Sequence, residues 1–143
     1  MVTQPLNAIS ICSGYGGIEL GLREIIPVRT VCYLEVELSV AAILASRMEE
    51  GALDEAPIWS DIRTFDTEPW RGKVDILTGG FPCQPFSVAG AQLGEDDPRN
   101  LWPVVSAMLS PCSSWMLALT AVSHPVRICS FWYWCHQLVV LSS

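Results

Sequence analysis

Four short apolar runs constrain this chain more than any other feature: Ala8–Cys12, Val28–Leu34, Ile58-Trp59 and Val74–Leu77. Between the first two lies Ile18, Leu20, Leu22, Ile25 and Ile26, apolar at helical spacing and closed by Pro27. After the second comes a helical stretch from Leu38 to Glu50, with Val40, Ala41, Ile43, Leu44 and Met48 for one face and Gly51 as its stop. Strands alternating with helices at this spacing predict an α/β fold, a parallel, doubly wound, Rossmann-like sheet. Its 143 residues are one domain's worth of chain. In such sheets ligands bind beyond the carboxyl ends of the strands. Gly14 to Gly17, Glu35, Asp61 and Cys83 follow strands one to four in that order.

Each of these residue types suits a ligand site. The loop Ser13-Gly14-Tyr15-Gly16-Gly17 allows close backbone approach and presents amides, and Glu35, 21 positions after Gly14, is placed to accept bonds from a ribose diol. Asp61, in Ser60-Asp61-Ile62-Arg63, can accept from the exocyclic amine of an adenine. Thr78-Gly79-Gly80-Phe81-Pro82-Cys83-Gln84-Pro85-Phe86-Ser87 reads as a strand ending at its glycines and delivering one thiol on a loop that the prolines stiffen. Ordinary roles exist for each: tight turns for the glycines, a solvated strand end for Glu35, a turn cap for Asp61, inert packing for Cys83. The spacing Gly14-x-Gly16-Gly17-x-x-x-Gly21 misses the dinucleotide fingerprint and no Lys-Ser/Thr follows, so a smaller adenosine-containing cofactor suits it better.

Composition changes abruptly near residue 103. All 15 acids, all ten glycines and seven of the eight Lys and Arg precede it, and Arg127 is the sole charged residue after it. The expected division is therefore 1–103, a partial catalytic domain, and 104–143, a divergent apolar tail for which a reading-frame shift is the favoured explanation. Pro111, His124, Pro125 and Arg127 break the tail before it reaches the roughly 20 apolar residues of a spanning helix. Cys129, Cys135 and His136 match no common zinc spacing. Residues Met1 to Asn7 lack a secretory pattern, so the six cysteines are expected as thiols in a reducing cytoplasm, with Cys12 and Cys32 in the core.

Taken in order, Ile11-Cys12-Ser13-Gly14-Tyr15-Gly16-Gly17-Ile18-Glu19-Leu20-Gly21-Leu22, Glu35, Ser60-Asp61-Ile62-Arg63, Gly79 to Ser87, and Asp97-Pro98-Arg99-Asn100-Leu101-Trp102 resemble the DNA (cytosine-5)-methyltransferases. The resemblance implies S-adenosylmethionine as methyl donor and the fold of a class I methyltransferase, incomplete at the carboxyl end. It implies Ser13, Gly14 and Gly17 against the methionine part, Glu35 on the ribose hydroxyls, Asp61 and Ile62 at the adenine, Leu101 and Pro82 beside the cofactor, and Cys83 as the attacking thiol. Duplex DNA is the implied partner, with the target base flipped out of the stack.

The resemblance also implies parts not matched in these residues. An acid in a Glu-Asn-Val segment should follow the cysteine by a few dozen positions, yet Ser114 to His124 contains none. The net charge of −7 opposes phosphate binding. The expectation is an inactive isolated chain, half of a split enzyme completed by a second polypeptide, or a cofactor-binding remnant. A truncated parallel sheet would also expose an apolar edge.

Overall fold

A computed structural model describes residues 4–81, 100–109, 115–118 and 136–142. Four strands, β1 (Leu6–Ile11), β2 (Val28–Leu34), β3 (Ile58–Trp59) and β4 (Ile76–Phe81), pair in parallel in the order β3-β2-β1-β4. Helix α1 (Gly17–Arg23) links β1 to β2, and α2 (Leu38–Glu49) links β2 to β3. Two 3-10 turns, Ile62–Thr64 and Glu68–Trp70, occupy the connection to β4, and α3 (Trp102–Leu109) follows. This is the doubly wound, Rossmann-like arrangement expected from the apolar runs.

Pleating explains why both sheet faces are covered. Ile9 and Ile11 point to one side, where Cys32, Leu34, Ile62, Val74, Leu77 and Val105 complete a core that includes α3. Ala8 and Ile76 point to the other, against Val28, Leu22 and Ile26. Tyr33, Leu44 and Leu53 form a third cluster beneath α2. A register shift between Ala8 and Ile9 lets Ala8 face Thr30 and Ile9 face Cys32, so β2 carries one extra residue there. The shift reverses the parity of β2, which is how Val28 and Tyr33, five positions apart, serve the helix α1 and α2 side.

Two expectations change. The strand over Val74–Leu77 starts at Ile76 and continues through Thr78, Gly79 and Gly80 to Phe81. Gly79 is paired with Ile11, so the glycines extend the ladder instead of ending it. An added Cβ at Gly80 would stand 3.6 Å from the Cys12 carbonyl, an ordinary contact, and nothing there forces a turn. β4 is also not an open edge: β6 (His136–Ser142) runs antiparallel to it, and β5 (Trp115–Ala118) pairs with β6. Backbone donors on β4 that would face solvent are thereby paired.

Candidate functional site

Strand register builds the site. Ile11 stands opposite Leu34 on one side and Gly79 on the other, and Leu34 stands opposite Trp59. Cys12, Glu35 and Ser60, the next residues, therefore open on one rim of the sheet, beside Gly80, where β4 runs on paired with β6. With strands about 4.8 Å apart, four of them give a rim roughly 14 Å across.

The loop after β1 folds back tightly. Cys12, Gly14 and Gly16 take φ of 51°, 55° and 76°, all left-handed, and Gly16 caps α1. Glycine removes the Cβ cost of that conformation at two of the three positions. The Gly14 amide donates to Glu35 Oε2 at 2.9 Å, and the Glu37 amide donates to Oε1 at 3.0 Å. The Glu35 amide in turn donates to the Trp59 carbonyl at 2.9 Å, which joins the second rim loop to the third. One carboxylate thus ties two loops and keeps a further lone pair on each oxygen for hydroxyl donors.

The remaining candidates are placed as follows. Ser13 is buried, and its hydroxyl lies within 3.1 Å of the Ser10 carbonyl and 3.3 Å of the Leu34 carbonyl, so it is spent inward on the loop. An added Cβ on Gly14 or Gly17 would meet nothing within 4 Å, which leaves an open backbone surface. Asp61 caps the turn over Ile62–Thr64, its Oδ1 accepting from the Arg63 amide at 2.9 Å. Ile62 is buried and shares its apolar cluster with half-buried Leu101. Pro82 and Cys83 lie outside the described residues.

Cys12 is half-buried at the rim, and its thiol is pushed up to about 11 by burial and then by the Glu35 carboxylate. A thiol so held stays protonated near neutrality and is a poor nucleophile. Burial likewise pushes Cys32 up to about 11. Cys32 is the core thiol expected, whereas Cys12, expected in the core as well, stands half-buried just past the end of β1.

Sequence reasoning passed over Glu19. This carboxylate is 2 % exposed; Thr78 Oγ1 donates to its Oε1 at 2.7 Å, and its Oε2 is buried without a hydrogen-bond partner. It joins α1, which begins at the glycine loop, to β4, which leads toward Cys83. Helical spacing carried the signal, since Glu19 and Leu22, at i and i+3, share one face of α1.

An open glycine surface, a carboxylate beside it and a second acid two strands away share one rim of the sheet. The rim is the end of a doubly wound α/β sheet at which such folds bind their ligands. The family model for C-5 cytosine-specific DNA methylase matches residues 6–116, and the chain belongs to that family. It is 41% identical over 97 residues to the Type II methyltransferase M.NgoMIV of Neisseria gonorrhoeae, covering 68% of this chain and 29% of that protein. It is 36% identical over 103 residues to M.PspPI of Psychrobacter sp. (strain TA137), covering 70% and 24%. The chain spans about a quarter of the length of these relatives. Among solved structures, the magnesium protoporphyrin IX methyltransferase of Synechocystis PCC 6803 with bound SAH aligns at TM-score 0.48 and 11% identity, over 98% of this chain and 75% of that one.

Proposed function

We propose that this chain provides the S-adenosylmethionine pocket and the nucleophile of a DNA (cytosine-5)-methyltransferase. The observation that carries the reading is the Gly14 amide bonded to Glu35 on the rim where the parallel pairing of the four strands stops. In this reading Gly14 and Gly17 lie against the methionine part, Ser13 holds the loop that does so, and Glu35 accepts from the ribose hydroxyls. Asp61 and Ile62 meet the adenine, with Leu101 and Pro82 beside the cofactor. The bound cofactor supplies an electrophilic methyl group.

The chain's own chemical contribution is Cys83. Its thiolate adds to C6 of a flipped cytosine, and the electron pair this releases makes C5 nucleophilic enough to accept the methyl. A base then removes the C5 proton, the C5–C6 double bond re-forms and the thiolate leaves. Only the thiolate form attacks. The acid that stabilises the ring and the DNA-reading surface come from residues beyond those matched here or from a second polypeptide, in keeping with coverage of about a quarter of the relatives. Residues 1–103 carry the pocket and the nucleophile in this reading, 104–143 diverge although Val105 and β6 pack on the same sheet, and the setting is the cytoplasm. Among the described residues no helix is long and apolar enough to cross a membrane.

Calorimetry with S-adenosylmethionine tests the pocket: the chain binds it, and Glu35→Ala weakens binding. Absence of binding heat by the folded chain overturns the pocket. Duplex DNA carrying 5-fluorocytosine, with S-adenosylmethionine present, tests the nucleophile, because the methylated adduct has fluorine and no proton at C5, so the elimination that releases the thiolate is blocked. With the complementing segment supplied, a covalent complex forms and Cys83→Ser abolishes it; an adduct that survives Cys83→Ser excludes the mechanism.

A further inference from the structure

The turn that ends α2 grips the glycine loop and its helix from both sides. Arg47, in the last turn of α2, donates from Nη1 to the Tyr15 carbonyl at 2.8 Å. Leu53 is buried and fills the space beside Gly16: a Cβ there would stand 2.6 Å from Leu53 Cδ1. At the other end of α1, Arg23 donates to the Ala52 carbonyl at 2.7 Å and to Asp54 Oδ1 at 2.8 Å. Asp54 Oδ2 accepts from the Thr30 amide at 2.8 Å, which anchors the turn on β2. The turn is itself shaped by Gly51 at φ 73° and by the Arg47 carbonyl, which accepts from the amides of Ala52 and Leu53. Arg47 therefore uses its guanidinium on the loop and its carbonyl on the turn.

We propose that Arg47 and Leu53 are positioning residues for the cofactor loop, holding the Tyr15–Gly16 peptide in the orientation that leaves the Gly14 and Gly17 surfaces open. The inference rests on the reading of this rim as a cofactor pocket and names which part of the cofactor it serves. Tyr15 and Gly16 lie between Gly14 and Gly17, the residues assigned to the methionine part. Glu35 and Asp61, which serve the adenosine part, keep bonds that the clamp does not touch: Glu35 accepts from the Glu37 amide as well as from Gly14, and Asp61 accepts from the Arg63 amide. Loosening the clamp thus weakens one end of the ligand and spares the other.

The experiment compares S-adenosylhomocysteine and adenosine on the whole chain, wild type against Arg47→Ala, Arg47→Lys and Leu53→Ala. Loss of one hydrogen bond predicts a roughly 3- to 10-fold weaker affinity for S-adenosylhomocysteine in Arg47→Ala. Adenosine affinity should stay within about 2-fold, and Arg47→Lys, which keeps a donor, should recover most of the loss. Equal weakening of both ligands would mean a general structural role and overturn the proposal, as would no change in either. Amide hydrogen exchange on the ligand-free chain separates this from the cofactor reading. Arg47→Ala and Leu53→Ala should speed exchange at Gly16 and Leu20, whose amides bond Ser13 and Gly16 carbonyls. Unaltered exchange sinks the clamp even if the wild-type chain binds no cofactor, and that lack of binding alone sinks the pocket.

Discussion

The rim loops after β1 and after β3 are held in opposite ways. The first is fastened by residues far along the chain: Glu35 on Gly14, Arg47 on Tyr15, Leu53 on Gly16. The second has Ile62 in the core but makes its side-chain hydrogen bonds locally: Asp61 Oδ1 takes the Arg63 amide, the Asp61 carbonyl takes the Thr64 amide and hydroxyl, and Trp59 Nε1 donates to Thr64 Oγ1. A loop held by its neighbours in sequence keeps its shape when a distant side chain is removed. One held by three other segments is coupled to the packing of α2 and β2, and substitutions there reach the ligand surface.

The largest expected effect breaks the distant fastening. Gly16→Ala combines a left-handed φ of 76° with a clash against buried Leu53, at a cost of about 2–4 kcal/mol. Denaturant unfolding measures it, and a double variant with Leu53→Ala should show positive coupling because the clash is then removed. Purely additive effects would mean that Leu53 does not press on the loop. Gly14→Ala, with open space at its Cβ, should cost only the backbone part, about 1 kcal/mol.

Next comes Glu35→Ala, which unties Gly14 and removes the acceptor proposed for the ribose. Cofactor affinity should fall about 10- to 100-fold by titration, the range for hydrogen bonds to a charged group. Asp61→Ala removes the cap of a self-held loop and should lower stability by about 1 kcal/mol, with Asp61→Asn near wild type. Should Asp61→Ala disturb the amides of Gly14 to Gly17 as strongly as Glu35→Ala does, the two loops are not independent and the contrast fails.

The last effect is confined to alkaline pH. Unfolded thiols release their protons near 9, while Cys12 and Cys32 in the fold hold theirs to about 11. Their contribution to stability is complete below pH 9 and is lost as pH rises toward 11, because deprotonation then favours the unfolded chain. Burial also raises the Tyr33 hydroxyl, which adds in the same direction. Unfolding midpoints that stay level from pH 8.5 to 11 would show that these groups ionise as freely in the fold as outside it.

The contrast between the loops explains what was legible in the residues. The cap at Asp61 can be read locally, from an acid two positions before the Arg63 amide it accepts. The apolar runs of β1, β2 and β4 and the spacing of α1 and α2 announce a parallel sheet, so Glu35, Asp61 and the glycine loop could be assigned to one rim before any register was known. Family membership was equally legible, because Gly14 to Gly17 and Phe81 to Ser87 follow one another in a specific order.

Tertiary structure decided everything that depends on distant groups meeting. Nothing around Arg47 distinguishes it from a solvated helix-end charge until its guanidinium reaches Tyr15, 32 positions earlier. Glu19 becomes a buried tie only when β4 brings Thr78 to it, 59 positions later. Gly79 and Gly80 looked like a strand's end but extend the strand, because pairing with β1 and β6 satisfies a backbone that isolated glycines would leave free. Sequence alone determines periodicity, caps and the order of motifs, since these act over a few residues. Hydrogen bonds and packing between segments close only after the sheet register is set, and register is a property of the folded chain.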